Sequence, residues 1–267
     1  MDVLNNNGRL TLIAGPCAME GYEICAEVAL TLKNICAQLN IDFYFKCSID
    51  KANRTSVNKY RGLGFERGLE VLANIKKDVG VRVVTDIHEP QQASTIAEIA
   101  DIIQIPAFLC RQTDLLGAAA KTGKIINVKK AQFMSPEEMG KVAEKLREFG
   151  NEKILLCERG TAFGYHNLIV DMTGLPRLKK YGYPVVFDAT HSVQISGIGD
   201  TVSNSGASEF MPTLAKAAIA TGSVDVLFME VHPKPFEALC DGSCMLKLSD
   251  AEILLKKLVE IFKLCRE

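Results

Sequence analysis

Short apolar runs recur along this chain with helical segments between them, and that alternation constrains the fold more than any other feature. The runs are Leu10 to Ala14, Phe43 to Phe45, Val81 to Thr85, Ile102 to Ile105, Ile125 to Val128, Ile154 to Cys157, Val185 to Phe187 and Val226 to Phe228. Their near-continuous hydrophobicity suits parallel strands covered on both faces. Eight such βα units predict an α/β fold of the (β/α)8 TIM-barrel class over an open doubly wound sheet. No Gly-rich dinucleotide fingerprint follows the first run, which further disfavours the open sheet.

The connecting segments agree. Ile24, Val28, Leu32, Ile35 and Leu39 recur at helical spacing, and Leu254, Leu258, Ile261 and Cys265 form a similar stripe in the last helix. Helices are expected from Pro90, Thr113 and Ser135. Ser135-Pro136-Glu137-Glu138 reads as a capping box with Pro at the first helical position, and Ser249 with Glu252 reads as a second box. Asn6-Asn7-Gly8 signals a turn, so a short N-terminal hairpin is expected to run into the first strand. No linker composition interrupts the 267 residues, and one catalytic domain over 1–267 is the simplest organisation.

At 48% hydrophobic the chain can bury a large core. Lys and Arg number 31 against 32 Asp and Glu, so no global charge favours nucleic acid or an anionic membrane, and any positive field must be local. The start MDVLNNNGRL lacks a signal-peptide pattern, and no apolar run is long enough to span a bilayer. Nine Cys without paired spacing read as reduced thiols, and a cytoplasmic protein is expected.

In a parallel barrel the active site lies at the C-terminal strand ends. The residues expected there are Cys17, Lys46, Asp86, Gln104, Lys129, Arg159, His191 and Glu230, all polar or ionisable. Lys46, Lys129 and Arg159 are joined by Lys51 and Arg54 from the stretch Phe45 to Ser56, which also carries Ser48, Asn53 and Thr55. Cations converging on one mouth call for an anionic ligand such as a small molecule with phosphate and carboxylate groups. Cys17, His191, Glu230 and, beyond the last strand, Asp241 make a mixed soft and hard set suited to a divalent metal: Fe, Zn or Mn. Taken singly, each has a structural alternative: Cys17 as a buried hydrophobe, His191 as a hydrogen-bonded core group, Glu230 as an ion-pair partner. His88, His166 and His232 are taken as structural or supporting groups.

The chain also resembles a known family. Ile13-Ala14-Gly15-Pro16-Cys17, Phe45-Lys46-Cys47-Ser48, Asp50 to Ser56 (DKANRTS), Ile105 to Asp114 (IPAFLCRQTD), Asn127 to Lys130, Glu158-Arg159-Gly160 and Asp188 to Gln194 (DATHSVQ) are similar to the 3-deoxy-D-manno-octulosonate 8-phosphate synthases over nearly the whole chain. The resemblance implies a transferase that condenses phosphoenolpyruvate with arabinose 5-phosphate and water in lipopolysaccharide synthesis. It implies that Lys46, Lys51, Lys129 and Arg159 hold phosphoenolpyruvate, and that Asn53, Arg54, Thr55 and Asp86 hold the sugar phosphate. Ser48, Gln104, Pro106, Ala107, His191 and Gln194 complete the substrate wall, with Arg111 reaching over from a neighbouring subunit of a homotetramer. Lys46, Lys51, Asn53, Asp86, His191 and Asp241 are the implied catalytic set, and Cys17, His191, Glu230 and Asp241 the metal ligands.

Two departures from the family pattern matter. Cys17 matches the metal-dependent branch, yet Cys240-Asp241-Gly242 is closer to the metal-free branch, with Ser243 where that branch has Pro. The Gly- and Ser-rich segment Ile195 to Ser208 lacks the usual Leu-Pro-Gly-Gly run and is expected to be a lid. The nearest rival is the synthase of the seven-carbon shikimate precursor, which uses erythrose 4-phosphate and shows Lys-Pro-Arg-Thr-Ser where this chain has Lys51-Ala52-Asn53-Arg54-Thr55-Ser56. A non-catalytic sugar-phosphate-binding barrel is a rival of a different class.

Overall fold

The structure, a computed structural model, describes residues 4, 7–165, 167–194 and 207–266. Eight parallel strands close into a barrel: β1 (Thr11–Gly15), β2 (Asp42–Lys46), β3 (Arg82–Asp86), β4 (Ile102–Ile105), β5 (Ile125–Lys129), β6 (Ile154–Glu158), β9 (Val185–Asp188) and β10 (Val226–His232). Closure comes from β1 pairing with β10, Thr11 opposite Val226 through Gly15 opposite Glu230. Between β6 and β9 stands an antiparallel hairpin, β7 (Thr161–Gly164) with β8 (Asn167–Ile169), which the apolar pattern does not predict because the hairpin is almost wholly exposed. A two-residue strand, β11 (Leu246–Lys247), pairs in parallel with the end of β10.

Helices α1 (Tyr22–Leu39), α2 (Phe65–Ile75), α3 (Gln92–Ile99), α4 (Thr113–Lys121), α5 (Glu138–Glu148), α6 (Gly174–Lys179), α7 (Ala207–Ala220) and α8 (Ala251–Leu264) surround the strands. No helix among the described residues is long and apolar enough to cross a membrane.

Strand alternation divides the core in two. Leu12, Phe43, Phe45, Val83, Ile103, Ile126, Leu156, Phe187 and Leu227 pack outward against the helices, whereas Ile13, Tyr44, Val84, Ile102, Leu155, Val186 and Phe228 fill the interior. Leu4 joins the interior cluster. The two-residue period then decides what the barrel mouth contains. Advancing two positions from an interior residue leads from Tyr44 to Lys46, from Val84 to Asp86, from Ile102 to Gln104, from Val186 to Asp188 and from Phe228 to Glu230.

Other expectations met mixed outcomes. Asn7 and Gly8 form the N-terminal turn, both with positive φ, but all of the expected first hairpin arm except Leu4 lies outside the described residues. The Ser135 box forms: Ser135 N donates to Glu138 Oε2 at 2.8 Å and Glu138 N to Ser135 Oγ at 3.3 Å. The Ser249 box does not. A 3-10 turn over Leu248–Asp250 makes Asp250 the residue before α8, Ser249 donates to Asp250 instead, and Glu252 pairs with Lys256 one turn on. The expected lid segment falls almost entirely outside the described residues, as does His166.

Candidate active site

The site begins at Gly15, where a Cβ would lie 2.0 Å from the Lys46 carbonyl oxygen, so only glycine lets β1 and β2 approach this closely. Two residues later Cys17 is fully buried at the mouth. On β2, Lys46 is buried, and its Nζ donates to Ser48 Oγ at 2.6 Å. Lys51 follows, anchored by its backbone N–H to the Arg61 carbonyl at 2.7 Å.

Glu230 sits at the centre. It is fully buried, neither carboxylate oxygen accepts a hydrogen bond, and its Oε1 is ringed by Lys46 Nζ at 4.0 Å, Lys51 Nζ at 3.9 Å and His191 Nε2 at 3.8 Å. Those separations are too long for hydrogen bonds. A buried carboxylate in this state is costly without a further partner.

His191 shows how the site is oriented. Its Nδ1 faces Asp188 Oδ2 at 2.9 Å, and its backbone N–H donates to Asp188 Oδ1 at 2.9 Å. In the tautomer whose Nδ1–H donates to the Asp188 carboxylate, the Nε2 lone pair points toward Glu230. Asp188 also accepts from Lys129 Nζ at 2.6 Å, and Lys129 lies 4.0 Å over the Phe228 ring. Burial pushes the Asp188 pKa up, but His191 and Lys129 more than reverse this and hold it far below the usual carboxylate range.

Asp241 closes the cluster from the segment after β10. Its backbone has φ +51°, a left-handed conformation unusual for a residue other than glycine. Burial opposes its ionisation, yet Lys51, His191 and Arg54 hold its pKa down to about 2. Cys17 Sγ lies 3.4 Å from Asp241 Oδ2, and burial, contact with Cys240 and the Glu230 charge raise the Cys17 pKa well above an ordinary thiol. Lys51 loses cationic character to burial, but the charges of Cys17, Glu230, Cys240 and Asp86 outweigh that and raise its pKa.

Two overlapping sets of donor atoms lie within 4.8 Å of one another: Cys17, Cys240 and Asp241, and His191, Glu230 and Asp241. The two sets share Asp241, which joins a pair of thiols on one side to an imidazole and a second carboxylate on the other. A divalent cation fits such a donor set, and Glu230's unsatisfied oxygens are the observation that favours one.

Around this cluster lie the substrate-wall candidates. Asp86 at the end of β3 is opposed by burial but kept ionised by Lys46, His88 and Lys51, with His88 Nε2 at 3.6 Å. Gln104 is buried and accepts from Asn127 Nδ2 at 3.1 Å. Arg159 is buried, donates Nη2 to Gln194 Oε1 at 2.9 Å, and has an Nη1 without a hydrogen-bond partner; burial lowers its pKa. Arg54 turns to Asp241 Oδ1 at 3.4 Å and Cys240 Sγ at 2.8 Å. Pro106 and Ala107 are half-buried after β4. Asn53 and Thr55 lie exposed on their loop, and Arg111 is exposed, its carbonyl accepting from Lys145 Nζ at 3.0 Å.

Three residues of the site escaped the sequence reading. Asp188, not His191, ends its strand, and the interior phase set by Val186 was the signal that could have found it. Glu158 accepts from the backbone N–H groups of Arg159 at 3.0 Å and Gly160 at 2.6 Å, and lies 3.4 Å from the buried Lys130 Nζ, so it shapes the loop that presents Arg159. Cys240 appeared in the sequence only as part of the run Cys240-Asp241-Gly242, with no role of its own. His232, taken as structural, faces Glu20 at 3.6 Å beside the site.

Comparison with known proteins follows the same lines. Residues 2–267 match the model of the DAHP synthetase I family. Proteins named 2-dehydro-3-deoxyphosphooctonate aldolase are similar along nearly the full length. The one from Synechococcus sp. is 53% identical over 94% of this chain and 88% of its own. That from Desulfotalea psychrophila is 53% identical over 97% and 92%, and that from Fusobacterium nucleatum 50% over 99% and 94%.

Proposed function

This chain belongs to the DAHP synthetase I family, among its 2-dehydro-3-deoxyphosphooctonate aldolases, and on that premise we propose how its barrel condenses phosphoenolpyruvate with arabinose 5-phosphate and water. The products are the eight-carbon sugar acid phosphate and inorganic phosphate. The rival four-carbon substrate is not favoured, since the similar proteins carry the octonate name.

The observation that carries the reading is the set of buried cations, Lys46, Lys51, Lys129 and Arg159, at one barrel mouth, the first two flanking an under-satisfied Glu230. Phosphoenolpyruvate brings a phosphate and a carboxylate that neutralise such a field. Arg159, with Nη1 unpartnered and Nη2 on Gln194, is ready to take one anionic oxygen, and Lys46 and Lys51 supply point charges at the same mouth. Asp188 keeps Lys129 and His191 in fixed orientation, so the site need not reorganise as charge develops. Asp86 and His88, on the β3 side, face the volume where the aldose would lie, and Arg54 borders it from the Asp241 side. Holding two anions within reach converts a bimolecular encounter into an oriented one.

Cys17, His191, Glu230 and Asp241 would hold a divalent metal, with Fe, Zn and Mn all compatible. When bound, such an ion supplies Lewis acidity for orienting the aldehyde or lowering the pKa of a water.

A cytoplasmic homotetramer completes the proposal. All nine Cys are free thiols, which supports a reducing compartment. Exposed Phe108, Phe133, Phe163 and Tyr165 support burial against other copies, with Arg111 near Phe108 available to a neighbouring site.

The deciding experiment is phosphate release from phosphoenolpyruvate with each aldose, before and after chelation. Turnover with arabinose 5-phosphate that falls on chelation and returns with added metal is expected. Preference for erythrose 4-phosphate overturns the substrate, and full activity in the stripped protein overturns the metal.

A further inference from the structure

Cys240 belongs to one of the two donor sets, but the four-residue metal reading, Cys17, His191, Glu230 and Asp241, does not use it. Its Sγ is 3.1 Å from Cys17 Sγ, the two residues being 223 positions apart in sequence. That spacing is inside ordinary sulfur van der Waals contact and leaves roughly 1 Å to close to a covalent S–S bond of about 2.05 Å. The left-handed backbone at Asp241 lets the adjacent Cys240 and Asp241 both face Cys17. Gly242 makes the bend feasible, since a Cβ there would lie 2.1 Å from the Pro235 carbonyl oxygen. Arg54 fixes the Cys240 sulfur by donating Nη1 at 2.8 Å.

We propose that Cys17 and Cys240 form a redox-active dithiol: in the metal-free site a peroxide joins them as a disulfide, and bound metal and disulfide are mutually exclusive states of Cys17. The first half stands on the sulfur geometry alone; the exclusion rests on the metal reading above. The chemistry balances with hydrogen peroxide as oxidant. One thiol gives up two electrons to the peroxide, becoming a sulfenic acid with release of one water. The other thiol attacks that sulfur, the S–S bond forms, and the sulfenic oxygen leaves as a second water. A sulfur held in that bond has no thiolate to offer a metal, because the ligand form of cysteine is the anion. Metal on Cys17 conversely ties up the sulfur the disulfide needs. Reduction by a dithiol returns both thiols.

The other thiol neighbours are less suited. Cys25 and Cys110 lie against the thioethers of Met19 and Met134 at 3.4 and 3.3 Å, which form no disulfide. Cys47 contacts Cys25, but that pair is buried in the helix-facing core, with Cys25 fixed on α1. Cys17 and Cys240 are buried as well, but their contact partners Asp241 and Arg54 reach solvent, with side chains 19% and 10% exposed, and that edge is the proposed entry for a water-sized oxidant.

The test uses the full chain, stripped by chelator and treated with one equivalent of hydrogen peroxide, then alkylated under denaturing conditions, digested and analysed by mass spectrometry. A peptide joining Cys17 to Cys240 and loss of two of the nine thiols are expected, both reversed by dithiothreitol. Zinc-loaded protein should keep all nine. After peroxide, wild type should fail to take up zinc until reduced, whereas Cys240→Ser and Cys240→Ala should still take it up. An unjoined pair in the stripped wild type, or a peptide joining Cys25 to Cys47 instead, overturns the disulfide. Oxidised protein that binds zinc undiminished overturns the exclusion. Zinc binding by Cys17→Ser as tight as wild type removes the metal reading and the exclusion with it, while the joined peptide decides the disulfide independently.

Discussion

Lys129 Nζ lies 2.6 Å from Asp188 Oδ2, a fully buried carboxylate that also takes His191 Nδ1 at 2.9 Å. One anion therefore sets the position of a proposed substrate-binding cation and the tautomer of a candidate metal ligand. Asp188→Asn keeps the shape but leaves Lys129 buried without its counter-charge. Breaking a buried pair costs about 3 kcal/mol of stability, and loss of the orienting group costs about 10- to 100-fold in activity or metal affinity. Urea unfolding and phosphate-release kinetics read the two effects; wild-type values in both would show that Asp188 neither anchors nor orients.

Gly15 governs closure of the barrel beside the site. Gly15→Ala drives a methyl group into the Lys46 carbonyl, 2.0 Å from the new carbon, and backbone cannot swing away as a side-chain tip can. A destabilisation of about 3 kcal/mol is expected, together with displacement of Lys46. An unchanged urea midpoint would mean that β1 and β2 separate without penalty.

Removing the metal should be visible in stability as well as rate. A ligand present at about one hundred times its Kd adds about 2.7 kcal/mol to the folded state. Wild-type protein should thus melt higher with zinc, manganese or iron than after chelation, and Glu230→Ala should lose most of that increment. Equal metal-induced shifts in the two proteins would remove Glu230 from the ligand set.

The pair His232 and Glu20 predicts a pH dependence. Burial by itself would lower the His232 pKa, but the Glu20 carboxylate reverses this and raises it. A raised folded-state value means that folding favours the cation. The contribution is therefore complete below the unfolded value of about 6.5 and is lost as pH rises through the folded value. The stability gap between wild type and His232→Asn should be widest below the unfolded value and narrow as pH rises above it. A gap that stays constant with pH would show that His232 contributes only by packing.

Much of the molecule was legible from residue order. The apolar runs located all eight barrel strands to within a few residues, because a strand covered on both faces must be apolar at nearly every position. The ends of those runs marked the mouth, since Lys46, Asp86, Lys129 and Glu230 follow the buried run, and Gln104 interrupts its run, at the same end of each strand. Boundaries alone misled in one place: the run ending at Phe187 made His191 look like the strand end, when Asp188 continues the strand and His191 stands on the turn it caps.

Tertiary structure decided the rest. The exposed hairpin β7 to β8 and the failed Ser249 box depend on local competition that composition does not encode, Glu252 preferring Lys256 to the backbone. Glu230's unsatisfied carboxylate and the Cys17 to Cys240 contact exist only because barrel closure brings the first strand beside the last. Residue types thus determined by themselves which strands form and that their ends are charged. Only closure of the sheet, which joins positions more than two hundred residues apart, decided which of those charges meet and which sulfur faces the other.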